Sequence, residues 1–117
     1  MAFDLEAGAW PFAPSSFDAV VVVHYLHRPL LPRLAEALRS DGLLLYETFA
    51  VGNERFGRPR NLDFLLRPRE LLDAFAELRV LAFEDGIIAA PTPAAIQRLA
   101  AVKLEPDAIE SVETLAL

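Results

Sequence analysis

Phe17-Asp18-Ala19-Val20-Val21-Val22-Val23, followed by His24-Tyr25-Leu26-His27, is the stretch on which the reading of the fold turns. The first seven residues are apolar without alternation and rich in β-branched side chains, the pattern of a strand buried on both faces of a mostly parallel sheet. Pro11, Pro14, Ser15 and Ser16 punctuate its start, because such a run extends neither a helix nor a central strand. Beyond it lie Pro29 and Pro32, and then Leu30, Leu31, Leu34, Ala35, Ala37 and Leu38 at helical spacing, with Arg33, Glu36 and Arg39 off the apolar stripe. A helix of roughly three turns is expected, ending at Gly42, a residue suited to the left-handed position past a helix C-terminus. Residues 43–49, Leu-Leu-Leu-Tyr-Glu-Thr-Phe, then read as a second interior strand. Strand, helix and strand in this order make a βαβ unit with a right-handed crossover.

Downstream the pattern dissolves between positions 50 and 66, where glycines, a proline and asparagines sit among Arg55, Arg58, Arg60 and Asp63. A loop of that length in a compact domain tends to carry function or to cover a site. Leu71, Leu72, Phe75 and Leu78 restore helical spacing, with Pro68 at a tolerated first-turn position. Residues 79–84 read as a short strand stopped by the turn dipeptide Asp85-Gly86, with 87–90 as a possible second arm. Residues 94–104 fit either a helix or a strand, and propensity favours the helix. The tail from Pro106 has the spacing of a short amphipathic helix or a frayed end. The division expected is one α/β domain over 1–105 and a tail over 106–117.

Composition closes off several classes of function. The 117 residues are enough for one domain, and 54% hydrophobic content argues against disorder. Seventeen acids against eleven bases leave a net charge of −6, so no phosphate-neutralising surface and no nucleic-acid partner are expected. The absence of cysteine removes disulfides, thiolate metal sites and cysteine nucleophiles. The acidic N-terminus lacks the basic start of a secretory signal, and no apolar run approaches the ~20 residues of a membrane span. A soluble, cytoplasmic protein without membrane contact is the expectation.

Several side chains carry potential chemistry. His24, Tyr25 and His27 follow the first strand's carboxyl end, where open α/β sheets place their ligands. Two histidines alone make a poor metal site, so no metal is expected; a backbone-bonded strand-end histidine is the plainer alternative. Glu47 and Thr48 end the second strand at the same edge, placed to polarise or deprotonate a substrate hydroxyl or amine. An unpaired buried glutamate there would have a raised pKa, and pairing with Arg28 or a loop arginine is the competing expectation. The loop residues Asn53 and Arg55, with Arg58 and Arg60, offer partners for an anionic small-molecule substrate.

Taken together, Asp4-Leu5-Glu6, Trp10-Pro11-Phe12, the 17–22 segment, Leu38-Arg39-Ser40-Asp41-Gly42 and Leu43-Leu44-Leu45-Tyr46-Glu47 resemble the second half of class I S-adenosylmethionine-dependent methyltransferases. Trp10 stands where that family has leucine, and Ser40 and Asp41 replace a proline and a glycine. The resemblance implies a Rossmann-like, mostly parallel sheet finished by an antiparallel strand inserted between the fifth and sixth, which turns residues 95–103 from helix to strand. It implies S-adenosylmethionine as cofactor, with Asp4 and Leu5 at the adenine, His24 and Tyr25 at the methionine end and His27 at the substrate mouth; Glu47, Thr48, Asn53 and Arg55, read from their positions, would then face the methyl acceptor. The glycine-rich loop that lets a nucleoside cofactor approach the backbone has no counterpart among the five glycines. The expectation is therefore a partial fold, the cofactor-binding N-terminal half missing, inactive alone and completed by that half or by self-association. The competing class is a non-enzymatic α/β module that self-associates through its sheet edge. In either case the valine strand would have one bare edge, a template for another chain.

Overall fold

The computed structural model describes residues 10–104, so Asp4, Leu5 and the tail from Pro106 lie outside the described residues. Strands β1 (Phe17–Val23), β2 (Leu38–Phe49), β3 (Arg79–Ile88) and β4 (Ala94–Val102) form one sheet in the order β1-β2-β4-β3. β1 and β2 are parallel, while β4 runs antiparallel to both of its neighbours, β2 and β3. The last strand is thus inserted, as the resemblance implied. Among the described strands, however, the sheet is mixed rather than mostly parallel. Propensity favours a helix for residues 94–104, but as a strand the segment completes two backbone ladders at once, and that tertiary gain overrides local preference.

Helices α1 (Leu31–Ala37) and α2 (Glu70–Ala74) cover one face of the sheet. Leu31, Ala35, Leu71, Phe75 and Leu78 pack there against Leu44, Tyr46, Leu99 and Ala101 to form the core. The hydroxyl of the buried Tyr46 donates to the Tyr25 carbonyl at 2.6 Å, and burial pushes its phenol well above the ordinary range, with Tyr25 adding to the shift.

β1 departs from the expectation of burial on both faces. Its Val20 and Val22 pack against the core, whereas Val21 is 63% and Val23 56% exposed. The physical cause is twofold: no described helix covers the second face, and among the described strands β1 pairs only with β2. The valine strand is an edge strand of the described sheet.

The first helix is shorter than its apolar spacing suggested. It stops at Ala37, where β2 begins at once, and Asp41 rather than Gly42 takes the left-handed conformation at φ 66°. The early stop is stable because the last carbonyls of α1 find donors outside it, as helix ends require. Ser15 and Ser16 donate from their backbone amides to Glu36 and Ala37, both at 2.9 Å, and Lys103 Nζ reaches the carbonyls of Ala35 (3.0 Å) and Leu38 (2.8 Å). The cation at this end also suits the helix dipole. Asp85-Gly86, read as a turn, lies inside β3, because the pairs Asp85↔Gln97 and Gly86↔Ile96 continue the ladder. The chain reverses instead at residues 89–93, which contain Pro91 and Pro93.

Residues 50–66 are irregular, as expected, with two single 3₁₀ turns. The ends are zipped together: Val51 donates to Leu66, and Leu66 to Phe49, each at 2.9 Å. Arg28 pins the far end through a two-point pair with Glu70 (2.7 and 2.9 Å) and through the carbonyls of Asp63 and Leu65. Burial alone would push the Glu70 carboxyl up, but hydrogen bonds from Arg28 and the Arg67 amide, with both positive charges, outweigh it and hold Glu70 below its usual range.

Two predictions follow from these contacts. A depressed carboxylate stabilises the fold above its unfolded value, and that contribution is lost as pH falls through the folded one. The stability gap between wild type and Glu70→Gln in urea titrations is expected to be constant at neutral pH and to shrink below pH ~4.3; a gap that does not change with pH contradicts the pairing. A Cβ at Gly42 would lie 2.8 Å from the Arg39 carbonyl oxygen, whereas one at Gly86 meets nothing within 4 Å. Gly42→Ala is therefore expected to lose about 1–3 kcal/mol, and Gly86→Ala to be neutral or to gain about 0.4–1 kcal/mol.

Candidate functional site

Because β1 and β2 are parallel, both carboxyl ends reach the same edge of the sheet, which places His24 beside Glu47. His24 takes a left-handed conformation at φ 55°, uncommon for a residue with a side chain. Its amide donates to the Glu47 carbonyl at 2.9 Å. Its ring stacks on Phe49, with centroids 4.6 Å apart, and Nε2 lies 3.7 Å from Glu47 Oε2.

A single register row organises the charges. Val23 pairs with Glu47, Glu47 with Arg98, and Arg98 with Glu84 across three strand boundaries. Residues in one row share a face, so Arg98 Nε meets Glu47 at 2.5 Å and its terminal nitrogen meets Glu84 at 3.3 Å. These two hydrogen bonds, the one to Glu47 foremost, raise the Arg98 guanidinium above its ordinary value. Glu47 is therefore paired, as the plainer expectation held, but its partner is Arg98 rather than Arg28 or a loop arginine. The available signal was an arginine that sits opposite the glutamate only if residues 94–102 form an antiparallel strand.

Two depressions meet at this row. One is a shallow trough of about 370 Å³ on the sheet face that no described helix covers, lined by Val21, Val23, Leu45, Ala82 and Ala100 around the charged row. The other, of about 470 Å³, lies at the sheet edge between the strand ends, the long loop and the β3–β4 connection. His24, Phe49 and Phe56 give it aromatic walls and Ile88 and Ile96 aliphatic ones. Its charged lining is Glu47, Arg98 and Arg58.

The remaining predicted residues are distributed differently. Thr48 is buried on the helix-covered side of β2, so the sheet separates its side chain from that of Glu47; it lines a smaller hollow of about 260 Å³ with Tyr25 and Phe64. His27 is half-buried ahead of the Arg28–Leu30 turn, accepts the Leu30 amide at its carbonyl, and lines none of these hollows. Asn53 borders the edge cavity, but its amide group is engaged: it donates to the Pro59 carbonyl and accepts the Ala95 amide. Arg55 donates to the Gly52 carbonyl and lies 5.8 Å over the Phe56 ring, outside the lining. Arg58, singled out only as one of the loop's cations, is the loop arginine that faces the cavity. Among the described residues no cluster of three or more His, Asp or Glu side chains could hold a metal.

No family model matches this chain, and no curated protein matches it. Solved structures do. TehB from Haemophilus influenzae superposes with a TM-score of 0.68 at 14% identity, over 88% of this chain and 40% of its own. The N-methyltransferase NodS from Bradyrhizobium japonicum WM9 gives 0.61 at 15% identity, over 90% and 59%. A SAM-dependent methyltransferase from Methanosarcina mazei gives 0.60 at 13% identity, over 82% and 63%. The chain therefore shares a fold with S-adenosylmethionine-dependent methyltransferases while spanning between two fifths and two thirds of the lengths of these three proteins.

Proposed function

We propose that this chain forms the acceptor side of an S-adenosylmethionine-dependent methyl transfer to a small molecule, and that by itself it holds the cofactor weakly. The observation that carries the reading is the meeting of two parallel strand ends at one sheet edge, where His24, Glu47 and Phe49 open onto a cavity beside the inserted antiparallel β4. The structural neighbours support the same kind of chemistry. The residues do not fit a whole cofactor: the described strand ends offer His24 and Tyr25 as one wall, and no Gly-x-Gly-x-x-Gly run exists to admit a nucleoside close to the backbone. Methyl transfer is an in-line displacement, so what this chain contributes is the holding of the acceptor, and positioning alone supplies much of such a barrier. The paired Glu47 orients an acceptor rather than serving as a free base.

A second reading, self-association through the sheet edge, draws on the exposure of Val21 and Val23 beside the edge of β1 that no other described strand pairs with. Full burial of each valine contributes roughly 1.5–3 kcal/mol, a large fraction of the ~5–15 kcal/mol that stabilises a domain. The two readings are compatible, since a second copy or a complementing half would cover the same surface.

Titration of S-adenosylmethionine into isotope-labelled protein is expected to give weak shifts confined to residues 24–26 and 47–49. Shifts elsewhere, or none, overturn the acceptor-side reading, and tight saturable binding by the monomer overturns the incomplete site. Light scattering is expected to show a dimer or larger particle that Val21→Lys with Val23→Lys converts to a folded monomer. A monomeric wild type at micromolar concentration removes the association.

A further inference from the structure

From the lining of the edge cavity we infer that its ligand is a planar aromatic or similarly apolar molecule bearing a single anionic group, recognised by Arg58. The inference rests on the acceptor-side reading for its biological meaning, but its physical argument is independent. The volume of about 470 Å³ lies within the ~300–1,000 Å³ of small-molecule pockets. The walls are mostly aromatic and aliphatic: the His24–Phe49 stack, the half-exposed Phe56, and Ile88 and Ile96. Such surfaces suit a flat apolar body, for which stacking adds to simple burial.

Charge decides the rest. Of the three ionic side chains on the lining, Arg98 is already matched by Glu47 and Glu84, and Glu47 by Arg98. Arg58 makes no ion pair or hydrogen bond with another described residue, although the loop around it is tied down by Asn53 and by the zipped loop ends. One exposed guanidinium without an ion pair, on a cavity whose other two charges are already matched, selects one carboxylate or comparable oxyanion, because its planar fork binds such groups at two points. A dianion would leave a charge facing Glu47, and a cation would face Arg58.

The test uses the whole chain without cofactor. 2-Naphthoate and the neutral 2-naphthylmethanol are titrated into labelled protein and followed by chemical shifts. Naphthoate is expected to bind at least about tenfold more tightly than the alcohol, the size of one charge-assisted hydrogen bond, with shifts at Phe49, Phe56 and Ile96. Arg58→Gln should remove that preference while leaving the alcohol's affinity unchanged, and Arg60→Gln should preserve it. Equal affinities in the wild type, a preference that survives Arg58→Gln, or shifts away from the cavity overturn the inference. Because S-adenosylmethionine is absent, failure here leaves its shifts at residues 24–26 untouched, and failure of those shifts leaves this preference intact.

Discussion

The register of β2 against its two neighbours is the constraint from which the site descends. β2 is paired on both edges, parallel to β1 and antiparallel to β4, and the alternation of side chains along it assigns each residue to one face. Leu44, Tyr46 and Thr48 point into the core while Leu45 and Glu47 point away from it. A slip of one residue would exchange these sets, burying a carboxylate and wetting the core. The same register brings Arg98 opposite Glu47 and Glu84 opposite Arg98, so the charged row is a consequence of strand pairing.

One-sided cover is the second consequence. α1 and α2 occupy one face of the sheet, and the other carries Val21, Val23, Leu45 and Ala100 around the charged row. Apolar residues scattered singly on a surface are ordinary; here Val21, Val23 and Leu45 lie together beside the edge of the described sheet. The apolar trough and the edge cavity share Glu47 and Arg98.

The long loop shows how an irregular segment is made definite. Its ends are closed by the Ala50–Leu66 bridge, its near side is held by the buried Asn53, and its far side is clamped by Arg28 and Glu70. Asn53 spends its hydrogen bonds on this scaffolding. Arg58 keeps its own, which is why the two kinds of loop residue differ in role although both looked alike as polar loop positions.

Local chemistry determined what a short window can encode: the valine run as a strand, the proline-led helix after it, the second strand, and the irregular loop that follows. The local spacing of residues 94–102 is ambiguous between helix and strand; the resemblance points to a strand over 95–103, and the tertiary structure supplies the physical reason, the two ladders offered by β2 and β3. Tertiary structure decided that α1 stops at Ala37, since the donors that satisfy its last carbonyls come from Ser15, Ser16 and Lys103, distant in the chain. The partner of Glu47 was hidden for the same reason, lying fifty-one positions away on a strand whose identity depends on its neighbours. The exposure of Val21 and Val23 followed suit, because a run of valines records a preference for burial, and only the arrangement of the other elements determines which of its faces and edges is covered.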